Sequence, residues 1–154
     1  AEELKSLGCH ERALGELRTE APELAPLCDR LAEHGIADSI VHGDLHHGNM
    51  LVVHDRVAVI DWSDAAIGHP FLDLAPLLRF GERQRDALVA AYVESWPSDD
   101  LRDAAAIGEA LGCVYQAISY RAINAAFEPG DRWLFADQHG KWMERAHRLA
   151  NRLL

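Results

Sequence analysis

At 154 residues, with hydrophobic side chains at 49% and charged ones at 26%, the chain can bury one real core and is too apolar to be disordered or fibrous. A formal net charge of -10 disfavours a nucleic-acid partner, which needs a basic face, and would steer a cationic substrate favourably. Cys9, Cys28 and Cys113 are odd in number, widely spaced and form no CxxC pair, which fits a reducing cytoplasm, and no apolar run approaches the roughly 18 residues of a membrane span.

The chain opens at Ala1, without Met, in helix-permissive sequence carrying Leu4, Leu7, Leu14 and Leu17, which suggests a fragment of a longer protein. Thr19 is placed to cap a second helix with Pro22 and Glu23 in its first turn. Leu24, Leu27, Cys28 and Leu31 give that helix one apolar stripe, and Gly35 is its natural stop. Ser39 to Val41 reads as a short strand leading into a polar loop over His42 to Asn49.

Met50 to Val53 and Val57 to Ile60 are β-branched runs separated by His54, Asp55 and Arg56, the pattern of a hairpin. With its turn centred on Asp55, Asn49 faces Asp61. Directly opposed residues hold their Cβ atoms about 4.5–5.5 Å apart, so one amide oxygen and one carboxylate can share a hard cation. That is magnesium chemistry, since Mg²⁺ takes oxygen ligands, keeps several waters and completes its shell with substrate phosphates. Asp44, in the loop opened by Gly43, can approach the same point and is the candidate base.

Gly68 and Pro70 mark a turn before a helix over Pro70 to Arg79. Asp73 sits among its apolar residues, and a buried carboxylate there requires a specific partner, such as the backbone of the polar loop. Glu82 to Trp96 reads as a helix with Leu88, Ala91, Tyr92 and Trp96 inward, ended by Pro97. Ser98 caps a longer one through Phe127, striped by Ala104, Ile107, Leu111, Val114, Ile118 and Ile123, in which Cys113 is a core residue. Asp131 caps the last helix, to Leu154. There is no internal repeat or linker. The expected fold is a single α+β domain over residues 1–154, mainly helical with a small β insert.

The motifs HGDLHHGN at His42 to Asn49, IDW at Ile60 to Trp62 and GHPFLDLA at Gly68 to Ala75 together resemble the signature of the aminoglycoside phosphotransferase and choline kinase family. The resemblance covers nearly the whole chain as the carboxy-terminal lobe of that protein-kinase-like fold. It implies that Asp44 accepts the proton of a substrate hydroxyl attacking the γ-phosphate of ATP or GTP. It further implies that Asn49 and Asp61 hold Mg²⁺, that His42 fastens the loop, and that Asp73 ties the loop down from the helix. The implied acceptor is a small hydroxyl compound, aminoglycoside-like, choline-like or another metabolite. Family members usually carry proline where His47 stands, often an acidic residue at Ser63, and commonly Asp at His69.

The family's amino-terminal lobe, with its phosphate-binding lysine, has no counterpart in this sequence. Lys5 and Lys141 are the only lysines, and no Gly-rich phosphate loop is present. The isolated chain is therefore expected to bind nucleotide poorly, and the uncovered lobe-facing surface to drive self-association. Two rival readings stand beside the kinase: a non-catalytic binding or assembly module built on a kinase lobe, and a metal-dependent phosphohydrolase using His42, His46, His47, His54 and His69. Specificity for an amine-bearing acceptor would fall on the helices after Trp96, where Glu109, Glu128 and Asp137 are the acidic candidates.

Overall fold

Leu24, Leu27 and Leu31 recur at helical spacing, and all three are buried. Leu27 and Leu31 form the inner face of α1 (Ala25–Glu33), and Leu24 ends the single 3-10 turn, Pro22–Leu24, through which the helix is entered. The computed structural model describes residues 19, 21–79, 81–96 and 101–154; the readings on residues 1–18 and on Pro97 and Ser98 lie outside them. Thr19 is itself helical and the position before the 3-10 turn is Ala21, so Thr19 does not cap α1. Gly35, at φ +68°, ends the helix in the left-handed conformation that costs glycine least.

The core is organised on α3 (Arg102–Ala126), whose Ala104, Ile107, Leu111, Val114 and Ala117 are buried. Gly108 and Gly112, one turn apart, leave the helix backbone bare on one side. The segment Pro70–Arg79 lies directly against that bare side: a β-carbon on Gly108 would sit 2.9 Å from the carbonyl oxygen of Phe71, and one on Gly112 2.8 Å from Cβ of Ala75. The segment is the expected helix, and it is of the 3-10 kind. Pro76 lacks a backbone donor in its interior, and long 3-10 runs are rare, so packing against α3 holds this one in place.

On α2 (Glu82–Glu94) the inward residues are Val89, Tyr92 and Val93, continued by Trp96. Leu88 and Ala91, expected inside, face outward because the buried stripe runs through 89, 92, 93 and 96. A 3-10 turn, Arg132–Leu134, separates Asp131 from α4 (Gln138–Ala150), so the last helix starts later than its expected cap. Trp142, Ala146 and Ala150 bury α4 against the core.

The β structure is two separate antiparallel pairs. β1 (Ser39–Val41) pairs with β4 (Ala66–Gly68), Ile40 opposite Ile67, and β2 (Met50–Val53) pairs with β3 (Arg56–Val59). β4 was not apparent in the sequence, being three residues between a turn and a proline. Its pairing with β1 closes a loop of chain whose two ends bear the polar motifs. The result is a mainly helical lobe with small two-stranded sheets.

Candidate active site

The polar loop is held from beneath by a buried carboxylate. Asp73 accepts the backbone N–H of His42 at 2.7 Å and that of Gly43 at 2.8 Å. Burial raises its pKa, and the two N–H donors act against that rise by stabilising the charged form. Gly43, at φ +85°, turns the chain tightly enough for both donors to point at one side chain.

His42 is buried and makes two opposed bonds. Its Nδ1 accepts the backbone N–H of Asp44 at 3.2 Å, and its Nε2 lies 2.9 Å from the carbonyl oxygen of Ile60. A carbonyl can only accept, so Nε2 carries the proton and the neutral ring links the Asp44 loop to the end of β3. The ring also rests on Trp62, centroids 4.7 Å apart.

Asp44 follows Gly43, with Oδ2 3.3 Å from Nε2 of His46. His46 is held in turn, since its Nδ1 accepts the N–H of Gly48 at 2.9 Å. Asn49 donates its Nδ2 to the carbonyl oxygen of Asp44 at 3.0 Å, which leaves Oδ1 as the accepting atom of the half-buried amide.

The hairpin register differs from the expected one. His54 (φ 47°) and Asp55 (φ 61°) both adopt the left-handed conformation of a two-residue type I′ turn. Met50 therefore pairs with Val59, and Asn49 stands opposite Ile60, whose N–H it accepts at 3.0 Å. A turn centred on Asp55 would have placed Asp61 there instead; the shorter turn shifts the partner by one. Asp61 comes next, at φ 60°, a strained conformation for a residue with a β-carbon. Its exposed carboxylate accepts the Ser63 hydroxyl on Oδ1 at 2.9 Å, a bond that leaves Oδ2 to other ligands.

Asp64, which sequence reasoning passed over, is the third carboxylate of this neighbourhood. Its pKa is raised by burial and then by the charges of Asp44 and Asp61, so all three share one field. Gly43 makes the approach of the two loops possible: a β-carbon there would lie 2.5 Å from the carbonyl oxygen of Asp64. Tyr115 donates its hydroxyl to that same carbonyl at 2.7 Å, and Gln116 donates Nε2 to the carbonyl of Gly43. The one sequence signal for Gln116 is a polar residue inside an otherwise apolar stripe.

The available donors, one amide oxygen and one carboxylate oxygen, suit a hard cation that keeps waters and takes phosphate oxygens. Among the described residues no three His, Cys, Asp or Glu side chains gather as a metal cage. Of the histidines of the hydrolase reading, His46 and His47 lie together in the loop with ring centroids 5.7 Å apart, whereas His42 is buried in its base, His54 is at the hairpin tip and His69 is buried beside Phe71.

A family model described as the phosphotransferase enzyme family matches residues 2–107, more than half of the chain and all three polar motifs. The chain belongs to that family. Comparison with curated proteins and with solved structures finds no match. The family's chemistry is phosphoryl transfer, and the matched span contains every residue of the loop, the hairpin and the Asp73 segment. Of the acidic residues expected to meet an acceptor, Glu109 is 3% exposed and clasped by Arg85, Nε to Oε1 at 2.7 Å with a second bond from Nη2, so it is a core ion pair. Glu128 and Asp137 are exposed, and Asp137 pairs with Lys141. Cys113 is buried, its thiol pushed up to about 12 by desolvation, and is chemically inert core. No helix among the described residues is long and apolar enough to cross a membrane.

Proposed function

We propose that this lobe transfers the γ-phosphate of ATP or GTP to the hydroxyl of a small molecule, with Asp44 as the base and Asn49 and Asp61 as the magnesium ligands. The observation that carries the proposal is the coupling of the loop to the hairpin end. Asp73 and His42 hold Asp44 by its own backbone and its neighbours', Asn49 is bonded to Asp44, and His42 reaches Ile60, next to Asp61. In the reaction the acceptor oxygen bonds to the γ-phosphorus, the bond from that phosphorus to the bridging oxygen breaks, and the nucleoside diphosphate leaves. Asp44 takes the hydroxyl proton, and His46 beside it orients the carboxylate. Magnesium, when bound, neutralises charge on the phosphates. Positioning and electrostatics supply most of the catalysis in such a loose transition state, which is the kind of help a rigidly pinned loop gives.

The nucleotide-gripping half lies, in this reading, outside these 154 residues, and the chain alone binds nucleotide weakly and turns over negligibly. The open hairpin supports it: Val52 is 77% exposed and Val57 63%, on a strand pair whose apolar side chains no described element covers, and Trp62 just beyond it is 50% exposed. That same surface favours a second reading, a binding or assembly module that uses the hairpin to hold a partner. The test is phosphate transfer from ATP and GTP to a panel of hydroxyl compounds, amines among them, by the protein together with its nucleotide-gripping segment. Acceptor-dependent release of nucleoside diphosphate is expected; none with any acceptor, in a folded protein that binds nucleotide, would leave the module reading.

A further inference from the structure

Two consecutive side chains of α3 hold the two loops of the site, and neither belongs to its chemistry. Gln116, 3% exposed, donates Nε2 to the carbonyl of Gly43, the residue before Asp44. Tyr115 donates its hydroxyl to the carbonyl of Asp64, three residues after Asp61, at 2.7 Å. Consecutive positions on an α-helix diverge by about 100° around its axis, so one helical step reaches two separate loops. The loops touch each other where Gly43 has no side chain, within 3.1 Å of the Asp64 backbone for an added β-carbon. Gly43 is thus fixed at both its polar backbone groups, its N–H on Asp73 and its carbonyl on Gln116.

We propose that Tyr115 and Gln116 are positioning residues of the phosphoryl-transfer site, a brace that sets the distance between the Asp44–Asn49 loop and Asp61. The inference rests on the reading of Asn49 and Asp61 as metal ligands. Neither side chain touches substrate or metal; each acts through a backbone carbonyl. The long helix is anchored in the core by Ile107, Leu111 and Val114, so both bonds come from one rigid element. Loss of either bond lets the two ligands drift apart while the core stays packed. Partners bonded directly to metal ligands cost about 10–100-fold in metal affinity when removed, and a brace acting through the backbone is expected at the lower end of that range.

The experiment titrates Mn²⁺, a hard stand-in that takes the same oxygen ligands, into the chain and reads free Mn²⁺ by electron paramagnetic resonance. Five proteins are compared: the parent, Asp61→Asn, Tyr115→Phe, Gln116→Met and Tyr92→Phe. The last loses a comparable scaffold bond, its hydroxyl to the carbonyl of Pro70 at 3.1 Å, and reports on general loosening. Thermal unfolding of each is followed in parallel. The expected result is Mn²⁺ binding that Asp61→Asn abolishes, that Tyr115→Phe and Gln116→Met weaken about tenfold or more, and that Tyr92→Phe leaves unchanged. Binding that depends on Asp61 but is equal in the parent, Tyr115→Phe and Gln116→Met overturns the brace and leaves the metal reading standing. Absence of binding in the parent, or binding indifferent to Asp61→Asn, overturns the metal reading and the brace with it. Tyr115→Phe removes a single oxygen, so the question stays decidable if Gln116→Met fails to fold.

Discussion

Asp73 accepts the backbone N–H of His42 on Oδ2 at 2.7 Å, and this bond joins a core segment packed on α3 to the loop that carries Asp44. Its other oxygen takes the N–H of Gly43. An amide can accept only through its oxygen, so Asp73→Asn turns an NH₂ group toward one of the two donors and leaves it unsatisfied in a buried place. The expected cost is about 1–3 kcal/mol, measured by urea unfolding, together with faster hydrogen exchange at His42 and Gly43. Unchanged stability and exchange would show that the loop holds itself.

A second prediction uses two glycines in helices. Gly112→Ala drives a β-carbon into the Leu72 carbonyl and to within 2.8 Å of the Ala75 side chain, so overpacking at about 1–3 kcal/mol outweighs the better helix propensity of alanine. Gly140→Ala in α4 meets nothing within 4 Å and stabilises by about 0.4–1 kcal/mol. Melting temperatures of the two variants are expected to move in opposite directions.

Stability is expected to fall as pH drops below about 6.5, because burial lowers the pKa of His69. A depressed histidine binds fewer protons folded than unfolded, so its contribution is present above the unfolded value and is lost on acidification through that value toward the folded one. His69 Nδ1 accepts the N–H of Phe71 at 3.2 Å, a bond that an Asx turn reproduces. The aspartate common in the family at this position can make the same bond, which explains physically how histidine replaces it. His69→Asn keeps the turn and removes the titration, so the difference in unfolding free energy between pH 7 and pH 5 is expected to shrink. An equal difference in parent and variant would place the acid sensitivity elsewhere.

The polar half of this site was legible in the sequence, and the packing half was not. Asp44, Asn49, Asp61 and Asp73 stand out because polar residues between β-branched runs, or inside an apolar helix, need a reason. The hairpin was legible too, but its register hung on whether the turn had two residues or three, and only the left-handed His54 and Asp55 decide that. Gln116 showed in the sequence only as a polar residue in an apolar stripe and Tyr115 not at all, because both bond carbonyls more than fifty residues away and periodicity carries no such information. The 3-10 character of Pro70–Arg79 and the pairing of β4 with β1 depend on neighbours distant in the chain.

The uncovered hairpin leads to an expectation about association. Val52 and Val57, directly paired across β2 and β3, are both exposed, and both outer strand edges are open among the described elements. Concentration-dependent self-association of the isolated chain is expected in light scattering, weakened by Val52→Lys, since a charge on an open strand opposes edge pairing. A monodisperse monomer across the concentration series would count against it.

The most direct test of the proposed chemistry compares phosphate transfer by the parent and by Asp44→Asn, each joined to the nucleotide-gripping segment that the proposed function requires, at saturating magnesium and nucleotide. Loss of a positioned base lowers turnover by about 10²–10⁴-fold, and the expected result is a fall in kcat in that range with unfolding free energy and nucleotide affinity retained. Turnover by folded Asp44→Asn within a few-fold of the parent would contradict the assignment of Asp44 as the base.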